Sequence, residues 1–175
     1  MFQRLSQKTQ SLLFMALLSM GAAVNASSGD ADAGQVKAAT CVGCHGVDGN
    51  SALPAFPKLA GLGHKYLLKQ MQDIRDGRRP VALMAGQVDN MTDEDLSDIA
   101  AFYDAQERSG GMSDPDKVAL GRKVYLAGIA DRQVPACSGC HSPTGNGNSL
   151  AGYPSLGGQH AEYIASQLKM FRKGY

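Results

Sequence analysis

The chain contains four cysteines in 175 residues, and they fall as Cys41-Val42-Gly43-Cys44-His45 and Cys137-Ser138-Gly139-Cys140-His141. Two thiols three positions apart can each add across one of the two vinyl groups of a haem, and the adjoining imidazole can swing onto the iron. The pattern therefore reads as two c-type haem attachment sites. Cys41, Cys44, Cys137 and Cys140 are the expected anchors of two covalently attached haem c groups, with His45 and His141 as iron ligands. A dithiol redox pair needs only C-x-x-C. A zinc site built on four thiols gives no reason for a histidine after each second cysteine. Two disulfides would be the ordinary expectation for four cysteines in an exported chain, and the spacing points away from them.

The segments that must position these motifs are repeated. Gly49-Asn50 matches Gly145-Asn146 at the offset that relates the two motifs. After a one-residue insertion Pro57, Leu59, Gly61, Tyr66, Gln70, Arg75 and Gly77 match Pro154, Leu156, Gly158, Tyr163, Gln167, Arg172 and Gly174. Self-similarity at this scale implies two homologous modules. Ser109-Gly110-Gly111-Met112-Ser113-Asp114-Pro115 has linker composition. The expected division is a first domain at 27–108, a linker at 109–116 and a second domain at 117–175.

Composition agrees with a small cofactor-filled protein. The chain is 43% hydrophobic and 19% charged with a net charge of +1, ordinary for a globular protein. It has no Trp, 6% aromatic residues and 21 Gly, so its side chains offer little bulk for a core. No basic cluster with interleaved aromatics occurs, and nucleic acid is not an expected partner. Residues 1–26 read as a signal peptide: Arg4 and Lys8 precede an uncharged apolar run from Leu12 to Val24, followed by Asn25 and Ala26. The run is short of the roughly 20 residues that span a bilayer. Cleavage after Ala26 and a periplasmic location are expected.

Helical periodicity places short amphipathic segments at 33–41 and 117–127, each leading into a cysteine motif. Longer ones fall at 64–76 and 161–173. Thr92 with Asp95 predicts a capping box opening a helix that carries Leu96, Ile99, Ala100 and Tyr103 on one face. Nothing alternates like a strand, so the fold class is all-α.

The stretch Cys41–Ser51, then Phe56-Pro57-Lys58-Leu59-Ala60-Gly61 and Tyr66-Leu67-Leu68-Lys69-Gln70, with Gly157-Gly158-Gln159-His160-Ala161, resembles the di-haem cytochrome c4 family. The resemblance spans about residues 32–175. It implies two class I cytochrome c domains in tandem and an exported electron carrier, not an enzyme. Its expected donor is a quinol–cytochrome c reductase and its acceptor a terminal oxidase, with peripheral association at the membrane. The family pattern makes His45 and His141 proximal ligands and supplies a distal Met before each closing helix. Alignment on Thr92 favours Met84 over Met91 and over Met71, which lies on an apolar helix face. Pro57 and Pro154 hold the family position that lends a carbonyl to the proximal imidazole, or else stiffen a turn. Tyr66 and Tyr163 are core residues, propionate partners or interface residues. His64 and His160, each 19 residues after a proximal His, are weaker distal candidates. The second domain departs from the pattern, because the counterpart of Met84 would fall near position 181, beyond Tyr175. An incomplete second domain, read from a fragment of a longer frame, is the expectation. A di-haem peroxidase with an open second iron, or a subunit of a larger oxidoreductase, is the rival reading.

Overall fold

The computed structural model describes residues 29–174; the expected signal peptide at 1–26 lies outside them. Seven α-helices are described. In the first repeat they are α1 (Ala31–Lys37), the one-turn α2 (Val42–His45), α3 (His64–Arg75) and α4 (Asp93–Asp104). In the second they are α5 (Pro115–Ala127), the one-turn α6 (Ser138–His141) and α7 (Ala161–Arg172). Order follows the sequence repeat, α5–α7 echoing α1–α3; α2 and α6 span four residues each and α3 and α7 twelve each, while α5 has thirteen to the seven of α1. Among the described residues there is no strand, only isolated bridges pairing Ile129 with Val134 and Asn148 with Tyr153.

Local chemistry sets the helix ends. Thr92 and Asp95 form the expected capping box: the Asp95 amide donates to Thr92 Oγ1 at 3.1 Å and the Thr92 amide to Asp95 Oδ2 at 2.9 Å. The segment expected at 33–41 begins earlier and splits. Asp30 accepts the Asp32 and Ala33 amides and starts α1 at Ala31, while a 3₁₀ turn, Ala38–Thr40, carries the chain into Cys41. The segment expected at 117–127 begins two residues earlier, inside the expected linker. Asp114 caps through the Asp116 amide, and Pro115 at the first helical position has its φ already set for a helix. The helices expected at 64–76 and 161–173 each stop one residue sooner.

The core belongs to the first repeat. Leu96, Ile99, Ala100 and Tyr103 of α4 are buried together with Ala38, Leu62, Leu67 and Phe102. Helix α1 crosses α4 at Gly34, where an added Cβ would stand 1.9 Å from the Asp98 carbonyl oxygen. Lys37 Nζ ties the same crossing, 2.8 Å from Asp95 and 2.6 Å from Asp98. Asp98 also accepts the Asp30 amide at 2.7 Å. That bond, with Lys37, holds its carboxyl below the usual carboxylate range. In the second repeat no described helix lies across α5. Gly121 there meets nothing within 4 Å, and Val118, Leu120 and Leu126 are exposed.

The repeats meet along a seam rich in polar contacts. Arg108 donates to the carbonyls of Ala60, Ser155 and Gly157 at 2.7, 2.8 and 3.0 Å. The start of the 109–116 segment is pinned, not free: Lys58 Nζ donates to Ser109 Oγ at 2.9 Å and the Gly110 carbonyl at 3.1 Å. Among the described residues no helix is long and apolar enough to cross a membrane.

Candidate functional site

The single turn of α2 gathers the first motif. Its i to i+4 geometry sets Cys41, Cys44 and His45 along one wall of a cavity of about 460 Å³. The His45 ring is turned by one bond: Nδ1 lies 2.8 Å from the Pro57 carbonyl oxygen. A neutral imidazole that donates from Nδ1 leaves the Nε2 lone pair free. Burial pushes the His45 pKa down, partly offset by the bond to Pro57, which favours that neutral form. Phe56 packs edge-on to the ring at 6.2 Å and 70°.

Other elements complete the walls. Helix α3 supplies Leu67, Met71 and Ile74, and α4 supplies Ile99 and Tyr103. Met84 enters at the end of a 3₁₀ turn, Ala82–Met84, on the segment between α3 and α4. Met91 is not part of the lining; it packs against the α4 core cluster. Met71 belongs to both lining and core. From the second repeat, Tyr163, Ser166, Gln167 and Met170 of α7 close one side. Arg79 bridges there, donating from Nη2 to Tyr163 Oη at 3.0 Å and Gln167 Oε1 at 2.8 Å. Tyr163 is thus an interface residue. Tyr66, beside it in the lining, has its hydroxyl pKa pushed up to about 12, chiefly by burial.

The second motif is arranged alike. His141 Nδ1 lies 2.8 Å from the Pro154 carbonyl, and Tyr153 packs edge-on to the ring at 5.9 Å and 67°. The two prolines therefore act through their carbonyls. A separate hollow of about 300 Å³ against α5 is lined by neither cysteine nor histidine.

The alternative distal histidines are engaged elsewhere. His64 Nε2 lies 3.1 Å from both the Ser97 carbonyl and Ser97 Oγ. His160 Nε2 lies 3.0 Å from Ser51 Oγ and from the Ser51 carbonyl, across the seam.

These residues fit a haem. All four thiols are free, and a paired-thiol turn with one oriented imidazole faces a deep, largely apolar cavity. A thioether stands in the lining, and the buried Tyr103 hydroxyl there has no hydrogen-bond partner. Such a cavity suits a large apolar macrocycle with a few polar edges.

Comparison with known proteins agrees. The cytochrome c family pattern matches residues 31–104. Cytochrome c4 of Pseudomonas aeruginosa is 54% identical over 164 residues, covering 93% of this chain and 82% of its own length. The chain belongs to the cytochrome c4 family. The crystal structure of reduced recombinant cytochrome c4 from Pseudomonas stutzeri superposes with a TM-score of 0.81 at 53% identity, over 83% of this chain and 82% of that one. A thiosulfate dehydrogenase electron acceptor of Stutzerimonas stutzeri is 35% identical over 147 residues, 78% of this chain and 65% of its own length. As a cytochrome c4, the protein has the class I cytochrome c fold, binds haem c covalently and works in electron transfer with redox protein partners. Its two C-x-x-C-H motifs match the family's two haems.

Sequence reasoning reaches the seam only at Tyr163; it assigns no site role to Arg79, Lys58, Arg108 or Gln159. Gln159 was visible only as one letter of the family stretch Gly157–Ala161, with no periodicity or motif to mark what it contacts.

Proposed function

We propose that this is a periplasmic di-haem electron carrier in which Cys41 and Cys44 anchor the first haem and Cys137 and Cys140 the second. His45 and His141 are the proximal ligands, and Met84 is the first distal ligand. The domains are 27–108 and 117–175, with 109–116 between them. The observation that carries the reading is the pairing of each motif histidine with a proline carbonyl at 2.8 Å, in both repeats.

When bound, each haem supplies an iron that takes up and releases one electron. The chain does the rest. Each proximal imidazole is oriented by its carbonyl partner, which also enriches it in electron density. Met84 would offer its thioether to the first haem, a weak donor that would favour the reduced state and raise the potential. Leu67, Met71 and Ile99 exclude water, so little solvent reorganises when charge changes. The α7 side chains and Arg79 close the flank facing the other repeat.

The acceptor under this reading is a terminal oxidase, and the donor a quinol–cytochrome c reductase at the membrane surface. The likeness to a thiosulfate dehydrogenase electron acceptor favours a second donor class, a sulfur-compound dehydrogenase. The carrier role is tested by stopped-flow mixing of the reduced holoprotein with oxidase-containing membranes and, separately, with hydrogen peroxide. Rapid single-cycle oxidation by the membranes without peroxide turnover is expected. Sustained peroxide consumption at enzymatic rates would establish the haem-peroxidase alternative.

A further inference from the structure

We infer that Gln159 of the second repeat is a positioning residue for the first haem, acting through the peptide that orients His45. The inference rests on the assignment of His45 as proximal ligand. The carbonyl that accepts from His45 Nδ1 belongs to Pro57, and the amide N–H of that same peptide unit is Lys58 N. Lys58 N donates to Gln159 Oε1 at 3.0 Å, and Gln159 Nε2 donates back to the Lys58 carbonyl at 2.8 Å. The result is one continuous chain of hydrogen bonds, from the imidazole through a single amide to a side chain of the other repeat.

The site is built. Gln159 is 9% exposed and Lys58 6%, so water competes little for either group. The amide orientation is fixed by its partners. Oε1 also accepts the His160 amide at 3.0 Å, and a flipped side chain would set an NH₂ against two N–H donors. The flanks are held as well, Lys58 Nζ on Ser109 and Gly110 and His160 on Ser51.

The physical effect follows from polarisation along the chain. Donation from Lys58 N to Gln159 draws electron density through the amide toward the Pro57 oxygen, which strengthens its acceptance from His45 by a fraction on the order of 10–30%. A stronger Nδ1 bond makes the imidazole more electron-rich and favours the oxidised iron. The second haem has no such extension among the described residues. The contact from Arg108 in the first repeat falls on the Ser155 carbonyl, one peptide beyond the unit that holds His141. The two sites are alike in their own repeats and differ in what reaches them across the seam.

The test uses the intact di-haem protein with Gln159→Met, Gln159→Glu and Lys65→Ala, the last cutting the Lys65 contact to the Leu150 carbonyl elsewhere on the seam. The readouts are the NMR shift of each proximal Nδ1 proton in the reduced state and each haem's midpoint. For Gln159→Met the His45 proton moves upfield and the first haem becomes easier to reduce. The expected change is about threefold in its reduced-to-oxidised ratio at fixed ambient potential, roughly 28 mV at 59 mV per tenfold. His141 and the second haem stay put. Gln159→Glu keeps an acceptor for Lys58 and moves the His45 proton downfield. Lys65→Ala moves neither. Unmoved His45 signals in both Gln159 variants, or equal shifts at both haems, would overturn the inference alone. Absence of a hydrogen-bonded His45 Nδ1 proton in the unsubstituted protein would overturn the ligand assignment with it.

Discussion

Replacing Met84 with alanine is expected to convert the first haem from a low-spin site to one that binds carbon monoxide when reduced. Its midpoint should fall by roughly 0.1 V or more, within the span of about 0.8 V that axial ligands control. The thioether is a weak donor that stabilises reduced iron; the water that replaces it favours the oxidised form. Met84 sits in the cavity lining at the end of its 3₁₀ turn and outside the buried core cluster, so little core packing is lost with its side chain. Met91→Ala is the matched control. Its side chain packs on the α4 core outside the lining, and truncation should cost on the order of 2 kcal/mol while leaving the near-infrared band of methionine-ligated ferric haem intact. Loss of that band in Met91→Ala, with Met84→Ala unchanged, would contradict the assignment.

The largest stability effect is expected at Gly34. An alanine there sets its Cβ 1.9 Å from the Asp98 carbonyl oxygen, a backbone atom that cannot rotate away. Helix α1 must lift from α4, taking with it the Lys37 contacts and the Asp30 to Asp98 bond. A loss of about 3 kcal/mol is expected, the upper end of what overpacking a core costs. The same substitution at Gly110, a loop position where an added Cβ meets nothing within 4 Å, should change stability by no more than about 0.5 kcal/mol. Chemical denaturation followed by helix circular dichroism separates the two. Equal effects would show that Gly34 is not a contact point.

The sequence made legible whatever chemistry repeats at a fixed spacing. The C-x-x-C-H turns, the two prolines, the Thr92 capping box and the buried face Leu96, Ile99, Ala100 and Tyr103 all stand where residue type and period place them. Helix starts were less legible where a side chain outside the periodic stretch sets the end, as Asp30 does for α1 and Asp114 for α5. Pro115 signals a linker as readily as a first helical residue, and only the cap decides. The seam was legible only at Tyr163, where an interface role stood among the expected ones and the bond from Arg79 bears it out. Lys58 and Gln159 lie far apart in sequence, are polar, and obey no period; their pairing exists only because two loops, each following a proline carbonyl, are brought face to face. His160 illustrates the same limit, since the spacing that made it a distal candidate is shared with His64, while their contacts are unrelated.

The carrier role depends on two motifs that hold two haems, each carrying one electron. Its most direct test is a reductive titration of the exported protein, with haem counted by pyridine haemochrome and by intact mass. The expected result is a chain beginning at Ser27 with two haems added, taking up two electrons in two one-electron steps. Cys137→Ser with Cys140→Ser should leave one haem and one step. A single haem on the unsubstituted chain, or a single one-electron step, would contradict it.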